Sequence, residues 1–136
     1  MGANVSTVYG TSPTMKGQVI TFHSSSKWKI HFEASKQTSK LIVIDFTASW
    51  CGPCQHIQPA IKEFAEIYTD VDFIKIDVDE LDGVAREFGV QTMPTFILIK
   101  GGKQVDKVVG AKKEDLKEKI EKHRAPEKPQ IQEALW

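Results

Sequence analysis

Apolar positions along the chain change period repeatedly, and each change predicts an element. Val19-Ile20-Thr21-Phe22 is a short β-branched and aromatic run, a strand candidate. Ser24, Ser25 and Ser26 then offer N-caps for a helix near 26–37, in which Trp28 and Phe32 share one face. Leu41-Ile42-Val43-Ile44-Asp45-Phe46 is apolar on both faces, the pattern of a central strand covered by helices. Ile57, Ile61, Phe64, Ala65 and Tyr68 recur at helical spacing and mark one buried stripe. Pro59 falls inside that helix and removes a backbone hydrogen bond, so a kink is expected there. A second apolar strand follows at Asp72–Val78, then a short helix striped by Leu81, Val84, Ala85 and Phe88 that Gly89 can end. Phe96–Lys100 and Gln104–Val109 flank Gly101-Gly102-Lys103, a hairpin signature. Lys113–Arg124 is a last helix anchored by Leu116 and Ile120. The order βαβαβαββα predicts an α/β fold, a sheet with helices on both faces.

The ends lack this patterning. Residues 1–17 are rich in Gly, Ser, Thr and Asn and read as an N-terminal arm. Residues 125–136 carry Pro126 and Pro129 and read as a tail, which leaves 18–124 as the folded domain. A chain of 136 residues suits a single core. Eighteen basic residues balance eighteen acidic ones, so no global field draws the chain to nucleic acid or an anionic membrane. Apolar runs such as Leu41–Ile44 and Phe96–Ile99 are too short to cross a bilayer. The first residues lack the apolar stretch of a secretory signal, and Glu-Ala-Leu-Trp is not a luminal retention sequence. A reducing, cytoplasmic setting is expected.

The chemistry concentrates at one place. Cys51 and Cys54 are the two cysteines of the chain, separated by Gly52 and Pro53. A disulfide ring that small constrains little of the unfolded chain, so the pair is poorly suited to stapling a fold and well suited to opening and closing. Cys51 lies between a strand and a helix, hence at a helix N-terminus, where backbone N–H groups and the macrodipole favour a thiolate. Cys54, one turn deeper, is the expected resolving thiol. Gly52 gives the turn freedom and Pro53 suits a first helical turn. Zinc would need four ligands of compatible spacing. Beyond one Cys-x-x-Cys the nearest extra ligand is His56, so no metal is expected.

Trp50-Cys51-Gly52-Pro53-Cys54, the apolar strand carrying Asp45, Pro59, and Met93-Pro94-Thr95 together resemble the thioredoxin family over about residues 18–124. With its short Gly/Ser-rich arm beginning Met-Gly, the chain is most similar to the plant h-type group. The resemblance implies the thioredoxin fold, with a central five-stranded mixed sheet flanked by four helices. It implies a thiol–disulfide oxidoreductase, a protein-disulfide reductase with no cofactor beyond the Cys51–Cys54 disulfide. Partners would be disulfide-containing client proteins, with an NADPH- or ferredoxin-dependent thioredoxin reductase, or glutathione and glutaredoxin, as reductant. A monomer is expected. A thioredoxin-fold docking module without redox turnover is the competing reading, against which the intact cysteine pair and Asp45 both argue. A secretory oxidase or isomerase fits poorly with the Gly-Pro dipeptide and the absent signal.

Asp45 would be costly to ionise within a central apolar strand, so desolvation should raise its pKa. Lys75 in the neighbouring strand is the expected partner, and proton acceptance from Cys54 the functional reading. The alternative is a strand-end aspartate turned to solvent. Met93-Pro94 is read as a cis bond. The resemblance implies that Pro94 lies against the disulfide, where Met93 can offer its backbone to an extended client segment. The alternative is a trans proline opening a strand. Trp50 is read as part of an apolar docking rim, and Val90, Gly110 and Ala111 match other rim positions of the family. Trp28 is read as core. Gln55 and His56 stand where many thioredoxins carry Lys or Arg and then an apolar or basic residue. That removes a fixed charge beside the thiolate. His23, His31 and His123 are scattered and imply no function.

The sequence Met1-Gly2-Ala3-Asn4-Val5-Ser6 fits the N-myristoylation pattern at Gly2. The alternative is a chance match in a stretch of small residues. One acyl chain gives only marginal attachment. The arm has no cysteine, and Lys16 is its single basic residue. A protein divided between cytosol and membrane surfaces is expected.

Overall fold

The apolar run at 41–47 forms the middle of a sheet because it has a covered face on either side. In the computed structural model, which describes residues 16–124, every residue of this strand, β2 (Leu41–Thr47), is buried. Around it the chain builds β1 (Val19–Thr21), α1 (Ser25–Ser35), α2 (Gly52–Ile67), β3 (Asp72–Asp77), α3 (Asp82–Glu87), β4 (Thr95–Lys100), β5 (Lys103–Val109) and α4 (Lys113–His123). The sheet order is β1-β3-β2-β4-β5. β1, β3 and β2 run parallel, while β4 and β5 are antiparallel to their neighbours. This is the five-stranded mixed sheet with four helices that the sequence led us to expect.

Alternation along β2 divides the core. Leu41 and Val43 face α2 and α4, packing with Ile57, Ile61, Phe64, Leu116 and Ile120. Ile42, Ile44 and Phe46 face α1 and α3, packing with Trp28, Leu81 and Val84. Asp45 is in phase with Leu41 and Val43 and therefore lies on the α2 side. Trp28 is core, as expected, stacked on Phe32 at 5.5 Å between ring centres and edge-on to Phe22 at 5.7 Å.

Local signals set most boundaries. The Ser24 side chain accepts from the Lys27 backbone N–H at 3.2 Å and caps α1, which therefore starts at Ser25 and ends two residues before the expected stop. The hairpin turns on Gly101 and Gly102 alone, with φ of +61° and +83°. Positive φ at both central residues completes a two-residue turn, so Lys103 pairs with Lys100 as the first residue of β5. Pro59 lies inside α2, as read. The N-terminal arm through residue 15 and the tail from 125 lie outside the described residues.

Candidate active site

The parallel strands β2 and β3 end at the same edge of the sheet, where side chains and loops from several elements converge. Beyond Thr47 the chain makes one short connection and Cys51 becomes the N-cap of α2. Its extended backbone (φ −95°, ψ 114°) points Sγ back along the first turn, where it accepts from the Cys54 N–H at 3.2 Å. The Cys51 N–H in turn donates to the Ala48 carbonyl at 3.2 Å, which closes the connection on itself. Pro53 sits in the first turn, where its missing N–H costs no helical bond. Gly52 beside it is exposed.

Cys51 and Cys54 are joined as a disulfide, with their Cα atoms 5.3 Å apart. The two cysteines differ in access: Cys51 retains 6% of its surface and Cys54 none. Ala48, Val78 and Met93 pack around them. Cys51 Sγ lies 3.7 Å from the Met93 carbonyl oxygen. A disulfide sulfur has no proton to give, whereas a Cys51 thiol at this place would donate to that carbonyl.

Met93–Pro94 is the cis peptide bond of the described chain, as the sequence reading expected. Pro94 is buried, and its carbonyl accepts from the Gly110 N–H at 2.8 Å, so the loop after β5 is fastened to the loop before β4. Ala111, next in that loop, is exposed. Val90 is drawn inward: half-buried, it packs on the α3-side core and its N–H donates to Ala85. Trp50 is 67% exposed, and its indole N–H donates to the Asp79 carboxylate at 2.8 Å. Asp79 was not singled out in the sequence. The one available signal was topological, since parallel β2 and β3 bring the loops that follow them side by side.

Asp45 retains 1% of its surface. Burial pushes its carboxyl up from the usual 3.8 to about 6, with Gln58 and Lys75 both pulling it back down. Lys75 is opposite Asp45 in the β2–β3 register, as expected, yet acts through its charge rather than as the hydrogen-bond partner. That partner is Gln58, whose side-chain Nε2 donates to Asp45 Oδ2 at 2.9 Å. Asp45 Oδ1 is buried without a partner. Gln58 was missed in the sequence, although it is four residues beyond Cys54 and so on the same face of α2.

Two of the other polar groups, His23 and His123, have structural partners. Gln55 and His56 are exposed on the outer side of α2. His123 Nε2 pairs with Asp106 at 2.8 Å, and His23 Nδ1 with Glu80 at 2.9 Å. His31 is buried against Phe22 and Trp28, where burial lowers its pKa. Among the described residues no cluster of three or more His, Cys, Asp or Glu could hold a metal ion, and no helix is long and apolar enough to cross a membrane.

A partly exposed cysteine joined to a sealed one at the head of a helix can pass a disulfide to another molecule. The sheet that presents it is the thioredoxin fold. The thioredoxin family model matches residues 20–122, and the chain belongs to that family. It is 47% identical to thioredoxin H2 of Arabidopsis thaliana over 92% of this chain and 100% of that protein. It is 51% identical to thioredoxin H-type 1 of Nicotiana tabacum, over 82% of this chain and 88% of the relative. The crystal structure of thioredoxin NaTrxh from Nicotiana alata superposes with a TM-score of 0.79 at 62% identity, covering 79% of this chain and 94% of that one. The protein is a protein-disulfide reductase, a thiol–disulfide oxidoreductase that works through Cys51 and Cys54 without a further cofactor. Members of this family exchange disulfides with client proteins and with reductases, and one solved neighbour is thioredoxin f2 in complex with ferredoxin:thioredoxin reductase.

Proposed function

We propose that Cys51 is the attacking thiolate, Cys54 the resolving thiol and Asp45 the proton acceptor. In the reduced protein Cys51 attacks one sulfur of a client disulfide, forms a mixed disulfide and releases the first client thiolate. Cys54, passing its proton to Asp45, then attacks Cys51 Sγ, forms the internal disulfide and releases the second client thiolate. Two electrons pass to the client. The observation that carries the assignment is the difference in access between the two cysteines, 6% against none, with a backbone N–H aimed at the Cys51 sulfur. A helix N-terminus favours the thiolate at that position.

The client would lie along Met93, whose carbonyl already faces Cys51, with Trp50, Pro94, Val90, Gly110 and Ala111 around it. The exposed Trp50 and the Gly110–Pro94 hydrogen bond support one continuous rim. Insulin tests turnover. With dithiothreitol as electron source, catalytic amounts should accelerate precipitation of the freed B chain, and a pure docking module would leave the rate unchanged. Supplying NADPH with a thioredoxin reductase, ferredoxin with its thioredoxin reductase, or glutathione with glutaredoxin, then identifies the reductant by which system sustains the reaction. A solved neighbour, thioredoxin f2, forms a complex with ferredoxin:thioredoxin reductase, which supports including that system. A monomer suffices for this chemistry, since every named group comes from one chain.

The site at Gly2 lies outside the described residues. It rests on the Met1–Ser6 pattern alone. With one acyl chain and no second signal, the protein should divide between cytosol and membranes, and Gly2→Ala should leave it wholly soluble. Mass spectrometry of the N-terminal peptide from the native source decides: a free or acetylated Gly2 removes the membrane claim and leaves the reductase untouched.

A further inference from the structure

The cysteine pair and Asp45 sit on different elements, and one side chain connects them. α2 begins at the cysteines, and one turn beyond Cys54 it presents Gln58, because residues four apart share a helix face. From there the Gln58 amide reaches the sheet and donates to Asp45 Oδ2 at 2.9 Å. Its other side is not buried. Gln58 also lines an open cleft of about 900 Å³, together with Gln55, Pro59, Lys62 and Lys75. The amide is therefore the wall between a sealed carboxyl and solvent.

We propose that Gln58 is a positioning residue of the exchange reaction: by occupying Oδ2 it leaves Oδ1 as the oxygen that takes up the Cys54 proton, and it governs the ionisation of the carboxyl. This rests on the assignment of Asp45 as proton acceptor. Three observations support it. Asp45 Oδ1 is buried and has no partner, whereas Oδ2 accepts from Gln58, which lines the open cleft. A side-chain N–H donor favours the charged carboxylate, the state that must exist before a proton can be accepted. Gln58 moves with the helix that carries Cys54, so the acceptor is held in register with the thiol it serves.

Few other groups compete for this role. From β3, Lys75 faces Asp45 and contributes charge without a hydrogen bond. From β4, the register partner is Phe96, and the α4 side chains on this face are Leu116 and Ile120. From β1 and the residue before it, Gln18, Val19 and Thr21 line the cleft and bring no charge. Lys62 and Glu66 belong to its outer wall on α2. Gln58 is thus the one polar donor that this set brings onto the carboxyl.

The test is the titration of Asp45 itself. Its side-chain carboxyl carbon is followed by NMR against pH in the oxidised, full-length protein, where neither cysteine titrates. Gln58→Met keeps the length of the side chain and removes the donor. Gln58→Glu keeps the shape, removes the donor and adds a like charge. The midpoint should rise by roughly one pH unit in Gln58→Met and further in Gln58→Glu. A role in packing alone predicts no such order. In the same variants, the pH dependence of resolving a preformed mixed disulfide should move upward with the NMR midpoint. In an Asp45→Asn background, Gln58→Met should not move it further. Unmoved midpoints in both variants overturn the proposal. Moved midpoints, combined with an Asp45→Asn protein that resolves at the wild-type rate, overturn the proton-acceptor assignment and with it Gln58's share in the reaction. The two failures are thereby told apart.

Discussion

Cys51→Ser is expected to reduce client disulfides no faster than the uncatalysed background, while Cys54→Ser is expected to accumulate clients covalently attached through Cys51. The asymmetry follows from access. Cys51 keeps some exposed surface for a client sulfur to reach, but Cys54 has none at all. Without Cys51 there is no first attack. Without Cys54 the first attack proceeds and the second has no nucleophile, so the mixed disulfide persists. The two variants therefore fail in different ways, although each retains one thiol. Non-reducing electrophoresis of a client mixture, followed by mass spectrometry of the linked peptides, distinguishes them. Adducts through Cys54 in the Cys51→Ser protein, with none through Cys51 in the other, would reverse the assignment.

Much of the fold was legible because its strongest signals are local. β2 announces itself as a run with no solvent face, and the α2 stripe at Ile57, Ile61, Phe64, Ala65 and Tyr68 is buried throughout. The boundaries that moved did so where turn chemistry decides. A pair of glycines is sufficient for the hairpin, so Lys103 was released into β5. In the site, residues close in sequence were readable and pairs distant in sequence were not. The cysteines, the Gly-Pro between them and the Met93-Pro94 bond could be placed by motif. Trp50 with Asp79, and Asp45 with Gln58, join elements that only the sheet order brings together. Lys75 was the reasonable guess for Asp45 because a charge seeks an opposite charge. A neutral amide one helical turn below Cys54 reaches the carboxyl instead. His31 shows the converse: a histidine read as scattered and without function is buried among aromatic rings with its Nε2 unpartnered.

Replacing Asp45 by Asn should make the fold more stable at neutral pH and the reductase slower. Below pH 3.8 the carboxyl is protonated in both the folded and unfolded chains, and it imposes no pH dependence. Between 3.8 and about 6 the unfolded chain ionises while the folded one keeps its proton. The native state then binds more protons, so stability falls as pH rises through this window. Above about 6 both states are ionised and the loss is complete, on the order of 3 kcal/mol for a displacement of this size. Asparagine never ionises, and its side-chain oxygen can still accept from Gln58. The variant should therefore match the wild type near pH 3.5 and gain roughly 1–3 kcal/mol by pH 7. Denaturant melts at the two pH values measure the gain directly. A variant less stable than the wild type at pH 7 would show that the ionised carboxylate stabilises the fold, contrary to its sealed position and unpartnered Oδ1. On the proposed assignment the same substitution removes the acceptor for the Cys54 proton, so release of the client from the mixed disulfide should slow while the first attack by Cys51 keeps its rate. Both effects in one variant would mark Asp45 as a residue that selection on the reaction, rather than on stability, retains.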